Sequence, residues 1–221
     1  ARSAIRAASG RTLIAGNYRL VDARTSFEQS LRQLKTDYAD ILFIHDCSPA
    51  DDLSDELLGY LHNLVQIGRI RAWGIATQRE WIAPLFAKLP VQPMIIQCAQ
   101  DILQAGRPAA WPNEAMPALF HSPFGAAGAI SELRKMLGST SLPPALAEIA
   151  SRVSDQRPSA RLLLEGALFM AGGNPVLCSM FDPSHIRENV EALEHPCFTS
   201  EQLSALISFA IHTGQRETAN Q

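Results

Sequence analysis

The sequence predicts an α/β protein with parallel strands, and two patterns carry that prediction. From residue 25 onward, short apolar runs alternate with longer segments of helical period, as they do in parallel α/β folds. Several of those runs end abruptly in a polar residue, as strands do when their C-terminal ends face a site. The composition suits this class: 221 residues with 47% hydrophobic and 19% charged side chains can bury a substantial core.

A formal net charge of -3 argues against a nucleic-acid partner. The longest run without Asp, Glu, Lys or Arg, Ala115 to Ser131, contains Pro117 and Pro123 and falls short of the roughly 18 to 20 residues of a membrane span. A soluble protein without a membrane partner is expected. Cys47, Cys98, Cys178 and Cys197 are dispersed with no C-x-x-C pair, which suggests buried free thiols and a reducing, cytoplasmic location. No apolar core follows the basic N-terminus, so a secretory signal is not expected. Arg2, Arg6, Arg11 and Arg19 precede the first acid, Asp22, which fits a transit peptide, whereas Leu13-Ile14-Ala15 reads as a short buried strand. Ala1 falls in what reads as the middle of a helix, so a missing N-terminal part is expected.

Thr25-Ser26-Phe27-Glu28 is a capping-box pattern, and Phe27, Leu31 and Leu34 then share one face, which predicts a helix over about 25 to 35. Ala39 to Ile44 is an apolar run too short for a helix and reads as a buried strand ending at His45-Asp46. The acids Asp51, Asp52, Asp55 and Glu56 open a helix with a stripe of Leu53, Leu57, Leu61, Leu64 and Val65, stopped by Gly68. The remaining units are strand 70 to 76, helix 78 to 88, strand 93 to 98, strand 117 to 121, helix 142 to 154, helix 158 to 170, and strand 175 to 179. A helix over about 183 to 193, with Asp182 as cap and Pro183 first, and a terminal helix from Thr199 complete the series. The stretch containing Pro108 and Pro112 reads as irregular. With Thr12 to Gly16 included, six parallel strands are expected. Periodicity alone does not separate an open doubly wound sheet from a closed (β/α)8 barrel. No G-x-G-x-x-G follows an early strand, and Gly125-Ala-Ala-Gly128 is a weak glycine pair.

The polar residues that end the apolar runs are His45, Thr77, Gln97, His121 with Ser122, and Ser179. Any one of them could be an ordinary strand-end cap; together they suggest a polar rim. Paired strand-end acids for glycoside chemistry are not evident, and the histidines lack H-x-x-x-H and H-x-H spacing for a metal.

The run Ser30-Leu31-Arg32-Gln33-Leu34-Lys35-Thr36-Asp37-Tyr38-Ala39-Asp40 through His45 resembles the SLxxLxTDYxDxxxxH signature of the aldo-keto reductases. Gly68-Arg69-Ile70-Arg71-Ala72-Trp73-Gly74-Ile75 resembles that family's GKIRxxGxS strand, His121 to Gly125 its YSPLG turn, and Ile186-Arg187-Glu188-Asn189 its late xxEN helix. The motifs follow family order from about residue 12 to 210. The resemblance implies a single (β/α)8 domain over 1–221, incomplete at the N-terminus with its first two strands missing. It further implies NADP(H), or NAD(H), bound across the strand ends, and hydride transfer to or from a small-molecule aldehyde, ketone or sugar carbonyl.

Of the family's catalytic Tyr, Lys, Asp and His, the resemblance carries only the His, at His45, which would orient the carbonyl oxygen. Asn17 stands at the Lys position, the Asp and Tyr would lie around or ahead of Ala1, and Tyr18 reads as a loop residue. The 221-residue chain alone is therefore expected to be inactive. Among cofactor positions, Gln97 matches the amide that holds the nicotinamide carboxamide, and Thr77 offers a hydroxyl beside it. His121 takes the place of a stacking Tyr, with Ser122 retained. Ser179 lies in the phosphate loop, His185 replaces an Arg that binds the 2′-phosphate, and Glu188 and Asn189 match adenine contacts. The helix from Pro183 would aim free amides at a phosphate. A non-catalytic nucleotide-binding or regulatory protein of the same fold is the alternative, favoured by Asn17. A half-barrel assembled with a partner chain is a third reading, suggested by unpaired strand edges.

Overall fold

The computed structural model describes residues 4–6, 12–14, 18–105, 115–138, 142–153 and 155–219. Its elements fall into two compact units, residues 1–97 with 109–118 and residues 98–108 with 119–221.

In the first unit, β1 (Ala4–Arg6) pairs antiparallel with β2 (Thr12–Ile14). The chain near its start is thus strand where helix was expected, and Thr12 to Ile14 belongs to a hairpin rather than to the parallel set. Helix α1 (Leu20–Leu34) begins more than a turn before the expected cap. The hydroxyl of Thr25 donates back to the Val21 carbonyl at 2.9 Å, so the capping-box residues lie inside the helix. Asp22 occupies the first turn and takes the Arg19 guanidinium at 2.7 Å. Phe27 and Leu31 are buried, as their spacing requires.

Strand β3 (Ala39–His45) is only partly buried, because Ile41 remains exposed. Helix α2 (Asp55–Gln66) starts at Ser54, whose hydroxyl accepts the Leu57 amide, and it buries Leu57, Leu58, Leu61 and Leu64. Gly68 has the expected positive φ of 73°. Strand β4 (Ile70–Ala76) follows as predicted. The segment expected as helix 78 to 88 opens with a 3-10 turn before α3 (Ile82–Lys88), and β5 spans Ile95–Ala99. β3 and β4 pair in parallel, as do β4 and β5. Gly74 is required where it stands: a Cβ there would lie 2.4 Å from the Ile95 carbonyl oxygen and 2.8 Å from the Phe43 ring.

In the second unit, β6 (Ala118–His121) and β7 (Val176–Leu177) pair in parallel through Phe120 and His121. The sequence reading missed α4 (Ala129–Leu137), whose left-handed N-cap is Gly128. Helices α5 (Pro144–Arg152), α6 (Gln156–Ala171), α7 (Pro183–Glu194) and α8 (Ser200–Ala219) match predicted units. Their apolar stripes meet in a core that includes Ile102, Leu133, Leu146, Ile149, Leu162, Leu163, Phe198 and Leu206. Gly166 makes room for Ile102, whose Cδ1 would lie 2.1 Å from an added Cβ. The stretch around Pro108 and Pro112 and the residue Asn17 lie outside the described residues. Among the described residues, five strands are therefore parallel rather than six. No described helix is long and apolar enough to cross a membrane.

Candidate active site and nucleotide cleft

In the first unit, strand register sets two of the predicted residues, His45 and Gln97. His45 pairs with Ala76, and Ala76 with Gln97, so His45, Ala76 and Gln97 form one row across β3, β4 and β5. Residues in one row of a parallel sheet point to the same face, which puts the imidazole and the amide on one side with a small alanine between them. The His45 side chain is 70% exposed, and its Nδ1 stands 3.2 Å from Asp46 Oδ2. Asp46 holds a left-handed φ of 57° while its amide donates to the Ala76 carbonyl at 2.8 Å, which turns the chain sharply away from the row.

Thr77 is buried one residue beyond the row, with its amide donating to Gln97 O and its hydroxyl donating to Cys47 O at 2.7 Å. It braces the loop after β3, so the lone pairs of its oxygen are what it can offer a ligand. Cys47 itself is buried; burial, then the negative charge of Asp51, pushes its thiol up to about 12, which keeps it un-ionised. Tyr18 donates its phenol proton to the His45 carbonyl at 3.0 Å. Burial first, then Asp51, Cys47 and Asp46, push that phenol well above its ordinary range. A poor acid tied to a backbone carbonyl agrees with the reading of Tyr18 as a loop residue.

In the second unit, the turn after β6 carries His121 and Ser122. Ser122 adopts a positive φ of 58°, and its hydroxyl lies 2.8 Å from His121 Nδ1. Gly125 closes the turn with φ of 70°, its amide on the Ser122 carbonyl. A Cβ on Gly125 would lie 2.7 Å from that of Ala129, so the glycine is needed twice over.

Ser179, His185, Glu188 and Asn189, predicted separately from the loop after β7 and from α7, come together in one cleft of about 820 Å³. Phe124, Asp155 and Arg157 also line it, and an adjoining cleft of about 370 Å³ shares Phe124, Arg157, Glu188 and Asn189. Asn189 Nδ2 is buried without a hydrogen-bond partner among the described residues. A donor placed in a cleft wall without an acceptor fits a ligand that supplies one.

The expected free amides at the start of α7 are not there. Pro183 has none, the Ser184 amide donates to Asp182 Oδ1 at 2.7 Å, and those of His185 and Ile186 donate to Asp182 O. The Ser184 donors hold the exposed Asp182 carboxyl below its usual range. Sequence reasoning missed Asp155, Arg157, Arg161 and Glu165. The spacing of Arg157, Arg161 and Glu165, one turn apart around Pro158, was the available signal. Glu165 is the buried member of that series and accepts from Arg161 Nε at 2.8 Å and from the amides of Cys197 and Phe198. Among the described residues no cluster of His, Cys, Asp and Glu could hold a metal.

Residues 14–106 match the family model described as Aldo/keto reductase family. No curated protein matches the chain in sequence. Among solved structures, the holo form of aldo-keto reductase AKR11C1 from Bacillus halodurans is similar, with a TM-score of 0.64, 22% identity, and coverage of 88% of this chain and 68% of that one. Its apo form gives 0.61 and 23% identity over 84% and 67% of the two chains. Aldose reductase from Giardia lamblia gives 0.60 and 15% identity over 90% and 71%. These likenesses show the fold to be of the (β/α)8 type expected, with five of its parallel strands among the described residues.

Proposed function

We propose that the chain, an aldo-keto reductase by fold and by the sequence of its residues 14–106, is the nucleotide-binding and carbonyl-orienting part of an NAD(P)H-dependent oxidoreductase. The observation that carries this reading is the cleft in which Ser179, His185, Glu188 and Asn189 meet, with the orphan amide of Asn189 in its wall. Asn189 Nδ2 would donate to a ring nitrogen of adenine, Glu188 would accept from its exocyclic amine, and the Phe124 ring supplies apolar surface. Gln97 would hold the carboxamide of a nicotinamide. When bound, the dinucleotide supplies or accepts a hydride at the nicotinamide. His45 would donate a hydrogen bond to the oxygen of a small aldehyde, ketone or sugar carbonyl and stabilise negative charge developing on it.

A titration of the 221-residue chain with NADH and NADPH, followed by cofactor fluorescence, tests the proposal. Saturable binding that Asn189→Ala weakens about tenfold or more is the expected result, since a lost hydrogen bond in a buried wall costs about 1–2 kcal/mol. No binding of either dinucleotide up to millimolar concentration overturns it. Asn17, which stands at the family's Lys position and cannot carry a positive charge, favours a second reading in which nucleotide is held without turnover. Dinucleotide oxidation with a panel of aldehydes, abolished by His45→Ala, would decide against that reading.

A further inference from the structure

His45 and Asp46 are consecutive, and in a regular strand consecutive side chains point to opposite faces of the sheet. Here they meet, with His45 Nδ1 3.2 Å from Asp46 Oδ2. The backbone explains how. Asp46 leaves the strand conformation with a φ of 57°, and its amide is pinned to the Ala76 carbonyl at 2.8 Å. The alternation therefore stops at His45, the last residue of β3, and the carboxylate comes round to the imidazole. A left-handed φ is uncommon for a residue with a Cβ, and one found beside a site residue points to a role.

The other polar groups of this loop are engaged elsewhere. Tyr18 donates to the His45 carbonyl, not to its ring. Asp51 Oδ2 accepts from the amide and the hydroxyl of Ser48, both at 2.7 Å. The Lys88 ammonium donates to the carbonyls of Pro49 and Asp51, and the buried Cys47 thiol is un-ionised. With Thr77 on the Cys47 carbonyl as well, the backbone is held on both sides of Asp46, so its carboxylate is pre-organised against the ring.

We propose that Asp46 is a positioning residue for His45: it holds the proton of the neutral imidazole on Nδ1 and leaves a bare lone pair on Nε2. The proposal rests on the role given to His45 above and sharpens it. A ring nitrogen that faces a carboxylate carries the proton, because two lone pairs at that distance repel. Nε2 of the neutral ring then accepts a hydrogen bond and has none to give. Donation to a carbonyl oxygen belongs to the protonated ring, which has N–H on both nitrogens. Asp46 thus sets the partner of the neutral ring: the hydroxyl of an alcohol rather than the oxygen of a carbonyl.

The test is the nitrogen-15 spectrum of the imidazoles in the labelled 221-residue chain at about pH 8.5 without nucleotide, where ring-nitrogen shifts separate the two tautomers. His45→Gln identifies the His45 signals by their loss. The Nδ1–H form of His45 should predominate, although a free histidine side chain favours Nε2–H. Asp46→Gly removes the carboxylate and keeps a residue at ease with positive φ, so the fold survives. The ratio of Nδ1–H to Nε2–H should fall in it by about fivefold, since side chains 70% and 76% exposed discount a charge-assisted hydrogen bond. A predominant Nε2–H form in the wild type, or a fall of less than about twofold in Asp46→Gly, overturns the assignment. A lower Tm with an unchanged ratio would make Asp46 merely structural and overturns it equally. No nucleotide enters the measurement, so that failure leaves dinucleotide binding intact, whereas failure of both dinucleotides to bind overturns the functional reading without moving the ratio.

Discussion

Glu165→Ala should destabilise the second unit by about 3–5 kcal/mol, the usual cost of removing one partner from a buried charged pair. The Glu165 side chain is 2% exposed and accepts from three donors: Arg161 Nε at 2.8 Å and the amides of Cys197 and Phe198 at 2.9 and 3.0 Å. A hydrogen bond to a charged group contributes about 1.5–3 kcal/mol, so three would sum to more. The sum is not reached, because Arg161 keeps the His195 carbonyl and the loop can admit water. For a chain of this size the loss corresponds to a fall in Tm of roughly 6–20 °C. Glu165→Gln keeps a carbonyl acceptor and should cost about half as much. Tryptophan emission is a poor probe, since Trp73 and Trp81 belong to the first unit. Calorimetry combined with hydrogen exchange at the Cys197 and Phe198 amides reports the loop directly. A loss below about 1 kcal/mol with unchanged protection at those two amides would refute the clamp.

Gly74→Ala should cost about 1–3 kcal/mol in thermal unfolding, at the upper end because one clash is with the Ile95 carbonyl, which cannot swing aside. Gly166→Ala should cost a similar amount, and Ile102→Ala, which removes both the intruding Cδ1 and the Cγ1 behind it, should relieve most of it in a double-mutant cycle; additive costs would contradict the packing argument. Burial raises the Asp101 carboxyl above its ordinary value of 3.8, so its folded form holds the proton more tightly than its unfolded form. Its contribution to stability is therefore fully present below 3.8 and lost as pH rises through the folded value; urea midpoints across pH 3 to 7 should show this slope in the wild type and lose it in Asp101→Asn.

Elements whose burial is set by local pattern were legible in the sequence. β4 was bounded correctly because its apolar run is closed by Gly68 on one side and Thr77 on the other, and α7 because Asp182 and Pro183 fix its start. α1 was misplaced because a hydroxyl inside a helix can donate backwards as Thr25 does, and sequence alone cannot tell that from a cap. α4 was missed because its start is marked only by glycine, with no side-chain cap. Thr12 to Ile14 misled for a different reason: an apolar triplet states that it is a strand and says nothing about the direction of its partner.

The candidate site was legible as residues and illegible as commitments. Spacing placed Glu188 and Asn189 on one helix, and the cleft joins them to Ser179 and His185. What no spacing could state is which donors are already spent. Asp182 was expected to start α7 and leave its amides for a phosphate; it starts the helix by consuming them. Asp155 stands at the start of α6 and does the opposite, leaving its carboxylate uncommitted to the helix. Two aspartates at two helix starts thus act in opposite directions, one by withdrawing an amide donor of its helix and the other by leaving the start of its helix uncapped.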